Sequence, residues 1–214
     1  MVMADTDHIK TNVQPGVEAL CSAGGKFLTF RLDAEEYGIE IFKVREIIGL
    51  VSITSIPKIP YFFRGIFRLR GQVIPVVDLR LKFEMESAED TDETCIIVVE
   101  ISSKSGIVLV GILVDAVSEV LDIGGSSIEP VPIINGGFDS RFILGIGKVN
   151  NTVKILLNID QVLADIDASM ISGLEMEEAL TEDEENNQLF ADMADSDNLK
   201  EVGNIESKPD KNGR

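Results

Sequence analysis

The sequence has no tryptophan, one histidine and two cysteines in 214 residues, and aromatics make up only 6%. Each scarcity excludes something. His8 stands alone in a polar N-terminal stretch, so Ser-His-Asp and Cys-His sites in their ordinary forms are ruled out. The usual zinc ligand sets go with it, and no metal or other cofactor is expected. Cys21 and Cys95 are too few and too far apart for a disulfide framework, which points to a reducing, cytoplasmic setting. Met1 to Gly16 lacks the apolar stretch of a secretory signal. The longest run of apolar residues and glycine, Gly106 to Val114, is far shorter than the roughly 20 residues a membrane-spanning helix needs.

Positive charge is scarce too. Lys and Arg number 19 against 37 Asp and Glu, for a net charge of −18. Phosphate backbones and anionic lipid repel such a chain, so neither nucleic acid nor membrane insertion is expected. Half of the net charge lies from Met170 onward, where thirteen acidic residues face four basic ones.

What remains is aliphatic. Hydrophobic residues reach 44%, and with few aromatics the core must be Val, Ile and Leu, which favour strands. Composition divides the chain into a flexible arm (1–26), a folded zone (27–169) and an acidic tail (170–214) that is partly helical or disordered. Within the folded zone, Phe27–Leu32 alternates as a strand. Ile41, Val44 and Ile48 at helical spacing predict a short helix over 41–48. Further strands are expected at 51–56, 65–70 and 72–77, with Pro75 marking an edge or bulge. Asp78 is placed to cap a helical turn. The acidic loop 84–93 reads as an internal boundary. Beyond it, strands are expected at 94–101, 106–115, 117–123, 127–131, 142–149 and 152–157. Asn150-Asn151 suits a two-residue hairpin turn, and Asn158 a closing helix that uses Val162, Leu163 and Ile166. Many short strands with glycine punctuation predict a mostly β fold of small barrels. Strands that are apolar on both faces, Cys95–Val99 and Ile107–Val114, need cover on both sides, which two packed barrels supply.

Few residues are arranged for chemistry. Gly124-Gly125, Gly136-Gly137 and Gly145-Ile146-Gly147 form no phosphate-binding signature. The acids of 84–93 lack EF-hand spacing. Cys95 opens an apolar strand and reads as a small buried hydrophobe. One cluster stands out: Arg64, Arg68, Arg70, Arg80 and Lys82 against Asp78 alone. Strand periodicity puts Arg64, Arg68 and Arg70 on one face, either an ordinary solvated face or a recognition surface; a nucleic-acid patch is a third reading, disfavoured by the acidity of the rest of the chain and its few aromatics.

Several stretches in order carry a resemblance over roughly residues 26–166. They are Glu36-Tyr37-Gly38-Ile39, Lys43-Val44-Arg45-Glu46-Ile47, Arg64-Gly65, Leu69-Arg70-Gly71 and Ile74-Pro75-Val76-Val77-Asp78-Leu79-Arg80. Later come Gly111-Ile112-Leu113-Val114-Asp115, Val117-Ser118-Glu119-Val120 and Leu156-Leu157-Asn158-Ile159. The chain resembles the CheW family, the coupling adaptors of bacterial chemotaxis. The resemblance implies two SH3-like five-stranded β-barrel subdomains with short helices, a groove between them, and no catalytic activity. It implies a monomer that joins chemoreceptor hairpin tips to the regulatory domain of the histidine kinase CheA, within ring-shaped arrays beneath the membrane. By motif position, Val44, Glu46, Gly65, Arg70, Cys95 and Val120 match receptor-binding places, while Ile133 and Ile134 match the kinase contact. Two features depart from the family pattern: Arg68 replaces an Asn, and the acidic tail is long. The tail is too short for a fused receiver domain, which leaves a stand-alone coupling protein as the expectation. The alternatives are a β-barrel assembly scaffold outside chemotaxis, and an enzyme with its cleft between the barrels.

Overall fold

Apolar residues at every second position, broken by tight turns, build two β-sheets. The computed structural model describes residues 20–103, 106–131 and 140–166, and every element below lies within them. The first sheet holds β1 (Gly25–Leu32), β2 (Glu35–Glu40), β8 (Ala116–Ile123), β9 (Ile128–Glu129), β10 (Ile143–Val149) and β11 (Thr152–Leu157). Its order is β8-β1-β2-β11-β10-β9. The second holds β3 (Val44–Gly49), β4 (Phe63–Leu69), β5 (Gln72–Asp78), β6 (Cys95–Ser103) and β7 (Gly106–Val114), in the order β3-β6-β7-β5-β4. Short helices α1 (Leu79–Lys82) and α2 (Ile159–Val162) follow β5 and β11. The mostly β architecture of two small sheets agrees with the expected fold class. The first sheet has six strands rather than five because the two-residue β9 pairs with β10.

Three apolar clusters organise the packing. Phe27, Ile123, Ile128 and Leu156 fill the inside of the first sheet. Phe67, Ile74, Val76, Ile96, Val98 and Leu113 fill the inside of the second. The largest cluster takes Leu28, Phe30, Leu32 and Ile39 from the first sheet, and Ile97, Val99, Val110 and Ile112 from the second. Strands β6 and β7 therefore bury alternate residues on opposite sides, as their two-sided apolar sequence requires. At Gly111 a Cβ would stand 2.8 Å from the Ile96 side chain, so close side-chain packing explains this glycine.

Several expected elements differ. Residues 41–48 are not a helix: a 3₁₀ turn over Ile41–Lys43 leads into β3, because pairing with β6 from Val44 to Gly49 outweighs the local spacing. Residues 51–56 form no strand beyond the Thr54–Ile66 bridge. The strand expected at 127–131 is a 3₁₀ turn and the short β9. The arm expected to end at 26 is anchored earlier, since Leu20 packs with Phe27 and Ile123. Loop 84–93 joins α1 to β6 inside the second sheet, so the expected boundary falls within one sheet. Its acidity marks exposure, whereas the chain changes sheet between β2 and β3 and between β7 and β8. Pro75 lies on β5, opposite Ile66 and one residue before the parallel pairing with β7 begins. His8, Ile133, Ile134 and the acidic tail lie outside the described residues.

Candidate functional site

Strand β3 is an edge strand, and its two faces do different work. Val44 pairs with Val99, and a bulge then puts Glu46 opposite Val98 and Ile47 opposite Ile97. Facing residues of a pair share a side of the sheet. Val44 and Ile47 therefore lie on the side of Ile97 and Val99, at the rim of the core shared by the two sheets. Ile47 remains 44% exposed there. Leu50 and Val51 continue the exposed apolar line past the end of β3. The first sheet offers a counterpart. Strand β8 is also an edge, Val120 pairs with Leu28 of the shared core, and Val120 is 52% exposed. Both sheets thus present aliphatic side chains from an edge strand, on the face that packs the shared core.

Charge flanks this apolar rim. Arg70 sits in the β4–β5 turn with φ 52°, and its Nη2 donates to Glu46 Oε1 at 3.0 Å. The Arg70 side chain is 77% exposed, so the pair orients a guanidinium toward solvent while contributing little stability. The expected single face of arginines is not formed. A bulge between Phe63 and Gly65 shifts the register, and Arg64 reaches Asp78 at 3.5 Å and Asp90 at 2.8 Å instead.

Other expected site residues have structural roles. Gly65 has φ 136°, and a Cβ there would stand 2.0 Å from the Thr54 carbonyl oxygen. Thr54 and Ile66 exchange backbone hydrogen bonds of 2.8 and 2.9 Å at this close approach. Cys95 is buried opposite Gly49, at the end of β3 away from Val44, and burial pushes its thiol pKa up. Val44, Glu46 and Arg70 are thus brought to one edge of the second sheet, Val120 lies on the other sheet, and Gly65 and Cys95 support from within. Reading 41–48 as a helix hid Ile47. Its signal was the strand alternation that places Ile47 opposite Ile97.

Among the described residues, no group of three or more His, Cys, Asp or Glu side chains is placed to hold a metal ion. No helix among them is long and apolar enough to cross a membrane. Two edge strands thus carry exposed aliphatic side chains, and an oriented ion pair stands at β3.

The chain matches the CheW-like domain over residues 26–167, and it belongs to the CheW-like domain family. The Chemotaxis protein CheW of Klebsiella aerogenes is 33% identical over 153 residues, covering 72% of this chain and 90% of that protein. The protein of the same name from Rhizobium meliloti is 34% identical over 143 residues, covering 67% of this chain and 90% of its own length. Among solved structures, the scaffolding protein TtCheW from Thermoanaerobacter tengcongensis superposes with a TM-score of 0.59 at 38% identity, covering 65% of this chain and 92% of that one.

Proposed function

We propose that this chain is a non-enzymatic adaptor of chemotaxis that couples chemoreceptors to the histidine kinase CheA. Family membership and the names of the relatives support the setting. The observation that carries the docking role is the exposed aliphatic edge of β3 beside the Glu46–Arg70 pair, with Val120 exposed on the β8 edge of the other sheet. In this reading, a receptor hairpin tip lays its apolar residues against Val44, Ile47 and Val120. Glu46 and Arg70 set its orientation through charge-assisted hydrogen bonds. Gly65 and Cys95 hold the strands beneath. Ile133 and Ile134 contact the regulatory domain of the kinase, and the protein works in the cytoplasm at receptor arrays.

Replacing Arg70 by Ala tests this. Both residues carry a Cβ, so strain at φ 52° is unchanged. We expect capture by receptor fragments to weaken roughly tenfold, while stability falls by no more than about 1 kcal/mol, the range for an exposed pair. Undiminished capture, or a collapsed melting curve, defeats the assignment.

A further inference from the structure

Hydrophobic packing holds the two sheets together, but it has no preferred direction. A shared core of Val, Ile and Leu tolerates small sliding of one layer on another unless directional bonds prevent it. Such bonds occur at both places where the chain passes between the sheets.

The first is the passage from β7 to β8 at Asp115. Arg80, beside β5 on α1, donates from Nε to Asp115 Oδ1 at 2.7 Å and from Nη2 to Oδ2 at 2.6 Å. From the other sheet, the Asp33 N–H in the β1–β2 turn donates to the same Oδ2 at 2.7 Å. The Asp115 N–H in turn donates to the Arg31 carbonyl of β1 at 3.2 Å. The Arg80 and Asp115 side chains are only 14% and 23% exposed. The second is the passage from β2 to β3, the 3₁₀ turn that carries Lys43. Asp160 of α2, which follows β11 of the first sheet, takes Lys43 Nζ at 2.6 Å on Oδ2. Its Oδ1 accepts the Ser102 N–H of β6, in the second sheet, at 2.7 Å. Each passage is thus tied by one carboxylate: the donors to Asp115 come from both sheets, while Asp160, carried by the helix that follows β11 of the first sheet, takes its donors from the passage and from the second sheet. These bonds are charge-assisted and directional, and partial burial shields them from water. Isolated surface ion pairs such as Lys148–Glu129 join neighbouring strands within one sheet and have no such reach.

We propose that Asp115 and Asp160 are positioning residues: each pins one passage between the sheets, and together they hold the β3 and β8 edges in the arrangement that a partner docks against. The proposal rests on the docking role given above, and its test separates the two. Spin labels at Val153→Cys on β11 and Ile107→Cys on β7, with Cys21→Ser and Cys95→Ala, report the distance between sheets by double electron–electron resonance. We expect Asp115→Asn and Asp160→Ala to broaden the distance distribution while amides of β6 and β7 other than Ser102, whose acceptor is Asp160, stay protected from hydrogen exchange. Asp160→Asn should fall between Asp160→Ala and the parent, because it keeps an acceptor for Ser102 and loses the charge that pairs with Lys43. The same variants without labels should bind receptor fragments roughly tenfold more weakly. An unchanged distribution overturns the proposal. So does a broadened distribution with undiminished receptor binding, because the pins would then position nothing. A parent protein that ignores receptor fragments defeats the docking role alone, since the distance measurement judges the pins without a partner.

Discussion

Asp115 shows how a single carboxylate responds to several environments at once. Burial pushes its pKa up, yet the hydrogen bonds from Arg80 and the Asp33 N–H, with the charges of Arg80 and Arg31, together hold it below the usual carboxylate value. A carboxylate with a depressed folded-state pKa adds stability above its unfolded pKa, and that stability is lost as pH falls through the folded value. We expect Asp115→Asn to cost about 1.5–3 kcal/mol at neutral pH, the range for hydrogen bonds to charged groups. Urea titrations should show that gap closing as pH falls below about 3.9, where the unfolded carboxylate protonates, and shrinking further as the folded one does. Glu40 has the opposite sign. Burial, reinforced by Asp160 and opposed by Lys43, raises its pKa. The charged form is therefore disfavoured in the fold, and Glu40→Gln should raise the melting temperature slightly at neutral pH and leave it unchanged in acid. Some residue-scale features were legible in the sequence. Asp78 and Asn158 cap as expected, accepting from the Leu81 and Gln161 N–H groups three residues on. The Arg80–Asp115 partnership was not, because it joins positions 35 residues apart.

Elements kept to local chemistry where neighbours decide the geometry. Asn150 and Asn151 both have positive φ, 49° and 64°, as a primed hairpin turn between β10 and β11 demands. Where pairing with a distant strand decides, local spacing misled. Ile41, Val44 and Ile48 fit a helical stripe, but the apolar edge of β6 pairs with this segment and makes it extended. Bulges in β3 and β4 then redirect single side chains, which is why Arg64 leaves the face it would share with Arg68 in an unbroken strand. Gly65 concentrates this effect. Replacing it by Ala forces a Cβ at φ 136° into the Thr54 carbonyl. We expect a loss of more than about 2 kcal/mol, from backbone strain and the displaced Thr54–Ile66 bridge. Thermal melts should record it, and hydrogen exchange should show protection lost first at Ile66.

At the scale of the whole folded part, the shared core couples the sheets. Ile112 is fully buried, pairs with Ile97 of β6 and belongs to the cluster that also holds Leu28 and Phe30 of the first sheet. Ile112→Ala should cost about 2–5 kcal/mol. It should lower the melting temperature in one transition, with exchange protection falling in β1 and β6 together. Two separate transitions would mean that each sheet is stable alone. The sequence by itself determined the strand-rich class, the two-sided burial of β6 and β7 and the main turns and caps, because alternation and turn chemistry act between near neighbours. The family also followed from short motifs in order, without knowledge of their contacts. Only the tertiary structure decided that β1 and β2 share a sheet with β8–β11, that Ile47 and Val120 come to exposed edges, and that Asp115 and Asp160 bind across both sheets. Those outcomes depend on pairing between residues far apart in the sequence, such as Tyr37 with Ile155, and nothing in a local stretch of sequence specifies which distant strand arrives beside it.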